Sequence, residues 1–223
     1  MALGRAEVTR GLPDEMSGFR SVIASCTEDE WHLPTRCEGW TVADVAAHVT
    51  GVMADITSGR LDGVGTQPWY DRQVAERRGR RQQVLIDELD EVTSATGSLL
   101  TLFEETAWSG PAGPGVDGTL GAAMQSLWAG IYIHVEDVLA AVGREPQRGS
   151  GMRAAVDHIA DALRAVGWGS ATLHLEDLGA VEVGGGGRRI VTDALTFVLV
   201  ASGRSDPSLV GLDDSVNIYR STA

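Results

Sequence analysis

The stretch Trp31-His-Leu-Pro-Thr-Arg-Cys37-Glu-Gly-Trp40-Thr-Val-Ala-Asp44-Val-Ala-Ala-His48 decides how this chain is read. Pro34 and Gly39 punctuate a loop. Thr41 is a good N-cap, and Asp44, three residues on, completes a capping-box pattern with an acidic group in the first turn. Val42, Val45 and Val49 then mark one helical face, and His48 lies beside it. The stretch therefore predicts a structured loop that ends in a capped helix carrying a histidine.

Working outward, a first helix is expected through Met16 and Phe19 to Val22 and Ile23, with Pro13 near its start, where a missing N–H costs little. Residues 59–68 read as a loop. Leu85, Leu89, Val92, Leu99 and Phe103 recur at helical spacing in a long segment that starts near Arg81. Gly110-Pro-Ala-Gly-Pro-Gly115 is a break. A fourth helix runs from about Thr119 to Val142, with Gly143 as its C-terminal stop. Four such helices suffice for an antiparallel bundle. On the fourth, Ile133-His134-Val-Glu-Asp137 places an imidazole and a carboxylate three residues apart, on one face.

Composition bounds the function. Of 223 residues, 43% are apolar and 22% charged, as in an ordinary soluble globule. The 18 basic residues are all arginine, a bias expected of a high-GC genome, and the net charge is −13. That charge argues against nucleic acid and against an anionic membrane surface as partners. The run Arg77-Arg78-Gly-Arg80-Arg81 is read as a solvated helix end or loop. No apolar run approaches a membrane span and no signal-peptide core is evident, so a cytoplasmic location is expected. Cys26 and Cys37 do not make a disulfide framework. No His or Lys adjacent in sequence marks Cys37 as a nucleophile. Trp31 and Trp40 are read as core anchors, and His32, His158 and His174 as structural.

The two quoted motifs carry a resemblance. The first is similar to the N-terminal motif of the mycothiol-dependent maleylpyruvate isomerase-like proteins, a branch of the DinB superfamily: Pro-Thr, a Cys, Gly-Trp-Thr-Val, then a metal-binding His on the helix. The second resembles that family's His, Asp three residues on, Ala, then Gly143-Arg-Glu-Pro146. The resemblance implies an α+β fold: a DinB-like four-helix bundle over residues 1–150, then a helix and a small α/β closing domain over residues 151–223. It implies that His48 and His134 are metal ligands. It also implies a third ligand, Glu or His, one turn before the second His. Gly130 occupies that position, four residues before His134. Three outcomes stay open: Asp137 ligates the ion or orients the imidazole of His134; water or a ligand from elsewhere completes the site; or the metal has been lost. Gly130 itself reads either as a close helix contact or as space opened in the bundle, and costs roughly 1 kcal/mol in a helix relative to Ala.

The last third alternates as short strands at Ala171-Thr-Leu-His-Leu-Glu176 and Ala180-Val-Glu-Val183. Residues 184–187 read as a four-glycine hairpin loop. Thr192 or Asp193 caps a buried helix closing at Gly203, and Val210, Val216, Ile218 and Tyr219 suggest last strands. In the resembling family the arginine after that helix reaches toward the active site; here it is Arg204, whose guanidinium fork suits a carboxylate. Its plain alternative is a helix-end cation. Arg204 and Asp137 are thus the expected catalytic side chains.

The function implied is a mycothiol-dependent isomerase or thiol transferase. Its substrate would be a small organic molecule, a keto acid or other electrophile, held in a pocket between bundle and closing domain. Mycothiol would be the cosubstrate, and a divalent metal such as zinc would stabilise its thiolate. The second reading is a metal-free small-molecule binding protein, or a pathway-specific cyclase or isomerase that has lost the family metal site. Gly130 favours this reading and the paired histidines favour the first.

Overall fold

Val8, Leu12, Met16, Phe19 and Ile23 recur three or four residues apart and are all fully buried, so α1 (Arg5–Ala24) carries one continuous apolar face. The same logic sets α3 (Val42–Ser58), α5 (Gln82–Leu102) and α7 (Leu120–Ala141), the other long helices of this half. Between them lie the single-turn α2 (Glu28–Trp31), α4 (Gln67–Arg77), α6 (Glu105–Ser109) and a short hairpin, β1 (Pro111–Gly113) with β2 (Val116–Thr119). The computed structural model describes residues 3–220, which divide into two units, residues 4–147 and residues 148–220 together with Leu3. The class is α+β.

In the first unit α1 packs on α5 and α7, and α3 packs on the same two helices. The four therefore close a ring with α1 and α3 at opposite corners. Close approach is licensed by small residues. A Cβ added at Gly11 of α1 would lie 2.0 Å from the Trp128 ring of α7, and one at Gly51 of α3 would lie 2.6 Å from Gln73 of α4. Helix starts are capped by side chains. Thr41 accepts from the Asp44 N–H while Asp44 accepts from the Thr41 N–H, and Thr27 with Glu30 repeats the device at α2. Thr119 caps α7 through the N–H of Ala122 at 3.2 Å.

The structure departs from the sequence reading in places. Helix α1 begins at Arg5, so Pro13 lies inside it. The apolar stripe starting at Val8 outweighs the one backbone bond that proline deletes. Residues 67–77 form a helix where a loop ended in the reading; Pro68 sits in its first turn. The arginine run does end that helix, but it is not simply solvated. Arg77 and Arg80 pair with Glu88, and Arg78 pairs with Asp44 at 2.9 Å.

In the second unit α8 (Ser150–Ala165) packs on α9 (Ala194–Ala201) and on β4 (Gly179–Val183). The sheet has β3 (Ala171–Leu175) at its centre, antiparallel to β4 and parallel to β5 (Arg188–Thr192). Ala171, Leu173 and Leu175 alternate inward and are buried. Because β4 and β5 flank β3, residues 184–187 are no hairpin: they cross the start of β3. All four glycines have positive φ, and a Cβ on Gly187 would meet the Ser170 carbonyl at 2.8 Å. Of the residues expected in last strands, Val210 and Val216 lie instead in two 3₁₀ turns, Pro207–Val210 and Asp214–Val216, and Ile218 and Tyr219 in a turn. Asp206 and Asp213 each accept a backbone N–H two residues on, which curls the chain rather than extending it.

Two glycines of one helix give opposed expectations. Gly11→Ala drives a methyl into the Trp128 ring and should cost about 1–3 kcal/mol. Gly18→Ala, whose Cβ would meet nothing within 4 Å, should stabilise by about 0.5–1 kcal/mol through backbone entropy. Denaturant melts of the two variants check both signs.

Candidate functional site

The loop before α3 is tied to itself. Thr35 N–H and Oγ1 both donate to the Trp40 carbonyl, at 2.9 and 3.0 Å, and the Cys37 N–H donates to Thr35 Oγ1 at 3.2 Å. Trp40 N–H returns to the Cys37 carbonyl at 2.9 Å, and Gly39 supplies the left-handed residue that the turn needs, at φ +76°. Pro34 and Thr41 bridge its base. The result fixes Cys37 at the tip of a small closed turn. Burial pushes the Asp44 carboxyl up, but the Thr41 bonds and the Arg78 guanidinium outweigh it and hold that carboxyl below its usual range. A charged capping residue is thereby kept at the start of α3.

The turn docks on α7. Cys37 Sγ lies 3.2 Å from Asp137 Oδ2, to which it donates, and 3.8 Å from His134 Nδ1. His134 Nδ1 and Asp137 Oδ2 are 3.1 Å apart, one helical step of three residues along α7. Asp137 is fully buried and His134 is partly exposed. Arg144, just beyond the end of α7, reaches Glu30 at 3.0 Å and Ser25.

His48 arrives from α3 and joins them. Its ring stands edge-on to His134, centroids 5.0 Å apart, with Trp40 at 4.9 Å and Tyr70 at 5.2 Å on other sides. The structure thus brings together His48, His134 and Asp137 of the expected residues. Arg204 belongs to the second unit, where its Nη1 donates to the Ser202 carbonyl at 3.1 Å at the end of α9, as a helix-end cation does. Trp40 is half-exposed and walls His48, not a core anchor; Trp31 is buried as expected.

Two residues were missed by sequence reasoning. Cys37 finds its His and Asp partners about a hundred positions along the chain, where no local pattern points. Tyr70 sits on α4, and burial pushes its phenol above the usual range. The fully buried Asp55 of α3 binds Arg60, Arg72 and Gln73, and so clamps α4 against α3. The signal for Tyr70 was Thr66 followed by Pro68, a helix start.

Among the described residues, Cys37, His134 and Asp137 offer one donor atom each within 4.8 Å of one another; His48 does not enter that group. Gly130, one turn before His134, faces open space: a Cβ there would meet nothing within 4 Å. Close helix packing is therefore not why it is glycine.

Glu136, next to this cluster, is 3% exposed and accepts the Gln147 N–H at 2.9 Å. Burial pushes its carboxyl up to about 7, against the pull of Gln147 and Arg36. An unfolded glutamate ionises near 4.3, so between roughly pH 4.3 and 7 the folded chain holds a proton that the unfolded chain has released. Stability should fall as pH rises through that window, by about 3–4 kcal/mol from this group. Glu136→Gln, which keeps an acceptor for Gln147, should flatten that slope in chemical melts with chelator present.

The mycothiol maleylpyruvate isomerase N-terminal domain model matches residues 12–139, more than half the chain. Two solved structures share the fold. One is the mycothiol-dependent maleylpyruvate isomerase, 16% identical, with TM-score 0.67 over 91% of this chain and 90% of that one. The other is a histidine-to-alanine mutant of a mycothiol-dependent maleylpyruvate isomerase, 14% identical, with TM-score 0.68 over 95% and 96%. No curated protein matches the sequence. No helix among the described residues is long and apolar enough to cross a membrane. With the motif at Cys37 to His48, the bundle and the matched span in agreement, the chain belongs to the mycothiol maleylpyruvate isomerase N-terminal domain family.

Proposed function

We propose that the protein is a cytoplasmic mycothiol-dependent isomerase or thiol transferase acting on a small electrophilic keto acid. The observation that carries this reading is the convergence of His48 with His134 and Asp137 inside the bundle. When bound, mycothiol supplies a thiolate that adds to and leaves an activated double bond, giving cis–trans isomerisation, or displaces a leaving group, giving transfer; a divalent ion such as zinc would favour that thiolate. The donors fit such an ion, because thiolate, imidazole and carboxylate are ordinary zinc ligands.

The chain's own residues supply the rest. In the ion-free site Asp137, buried 3.1 Å from His134 Nδ1, fixes the orientation of that ring. His48, gripped by Trp40 and Tyr70, is held where a proton leaving a thiol could be received. Arg204 is proposed as the fork for a substrate carboxylate. The open space beside Gly130 favours a second reading, a metal-free pocket serving binding or another isomerisation or cyclisation.

The test pairs calorimetry of mycothiol binding with turnover of maleylpyruvate and related unsaturated keto acids, with and without mycothiol. Turnover should require mycothiol, and His48→Ala should lower kcat/KM by about 100-fold or more while the fold is retained. Arg204→Lys should raise KM more than it lowers kcat. Absence of mycothiol binding, with a keto acid bound or converted without it, would replace this reading by the second.

A further inference from the structure

The third ligand that the resemblance implies has no counterpart at Gly130, yet a different trio of donors already stands together. Zinc bonds of about 2.3 Å to sulfur, 2.0–2.1 Å to nitrogen and 2.0–2.2 Å to oxygen, at tetrahedral angles, put ligand atoms about 3.6 Å apart for S and N, about 3.6 Å for S and O, and about 3.4 Å for N and O. Cys37 Sγ to His134 Nδ1 is 3.8 Å, Cys37 Sγ to Asp137 Oδ2 is 3.2 Å, and His134 Nδ1 to Asp137 Oδ2 is 3.1 Å. Each separation falls within about 0.4 Å of the ligand edge it would form.

Each donor is held. Cys37 is fixed at the tip of a turn closed by Thr35, Trp40 and Gly39. His134 and Asp137 are rigid neighbours on one face of α7, and the carboxylate is fully buried. A buried carboxylate and a thiol sharing one imidazole nitrogen is an arrangement that a cation would relieve, since it favours the charged form of both acids.

We infer that Cys37, His134 and Asp137 form a divalent-metal site in this chain, with Cys37 and Asp137 taking over from the ligand that Gly130 lacks, and with His48 outside the ligand set. Three protein ligands are the pattern of catalytic zinc, which keeps one position for a water or a substrate atom. Metal uptake then releases the Cys37 proton to solvent, because the thiolate is the ligand. His48 is left as the base beside the site. The inference deepens the functional reading and rests on it only for the use of the ion; the site itself is read from metal content, so it stands or falls apart from mycothiol dependence.

The test is metal binding to the whole protein after chelator dialysis. Zinc should bind at one equivalent, and cobalt(II) should give a sulfur-to-cobalt charge-transfer absorption. Cys37→Ser should abolish that absorption, and Asp137→Asn should weaken zinc on the order of 100-fold, each with native circular dichroism. Gly130→Ala, whose methyl meets nothing, should bind metal as the wild type does. His48→Ala should keep the charge-transfer absorption. Failure of the wild type to take up zinc or cobalt, or one equivalent of cobalt bound without a sulfur band and lost in His48→Ala but not in Cys37→Ser, would overturn the proposal.

Discussion

The buried carboxylate of Asp137 is the constraint on which the site depends. A carboxylate with no exposed surface is costly unless donors or charges surround it. Here the Cys37 thiol and the His134 ring lie against it. To bring Cys37 there, the loop must close on itself, and the Thr35 to Trp40 bonds do so. That closure places Thr41 at the start of α3, so the capping box launches the helix in the direction that carries His48 to His134. One buried carboxyl group thus links a loop, a helix start and two facing helices.

The remaining packing serves the same geometry. Gly51 lets α4 lie close on α3, and the Asp55 cluster of Arg60, Arg72 and Gln73 fixes it there. Tyr70 then reaches the His48 ring as an edge-on wall. On the far side of the bundle Gly11 admits the Trp128 ring, which sets how closely α7 approaches α1. At such contacts a single methyl is felt, as expected of interiors packed like crystals.

Much of this was legible in the sequence, for physical reasons. The four long helices showed themselves through apolar spacing, and the Thr41 cap and the Asp193 cap of α9 through their side chains. His48 and His134 were found as a pair because each sits at a motif position, and Asp137 because a three-residue step on a helix shares a face. Helix α4 escaped because its stripe is thin: its buried residues are Trp69, Gln73, Val74 and Arg77, half of them polar. Cys37 escaped because its partners are brought by tertiary folding alone. The order of β4, β3 and β5 escaped because a parallel pairing that skips a neighbour leaves no local mark, and the glycine run reads as a hairpin until β3 is seen between its flanking strands. The meaning of Gly130 required coordinates, since close packing and open space both call for glycine.

The account rests on which atoms face one another at the junction of the loop, α3 and α7. The most direct measurement is a crystal structure of the zinc-soaked protein with anomalous data collected on both sides of the zinc edge. The account predicts one strong peak bonded to Cys37 Sγ, His134 Nδ1 and Asp137 Oδ2, with the His48 ring beside it. A peak bonded to His48 and His134 with Cys37 turned away, or no peak at this junction, would contradict it.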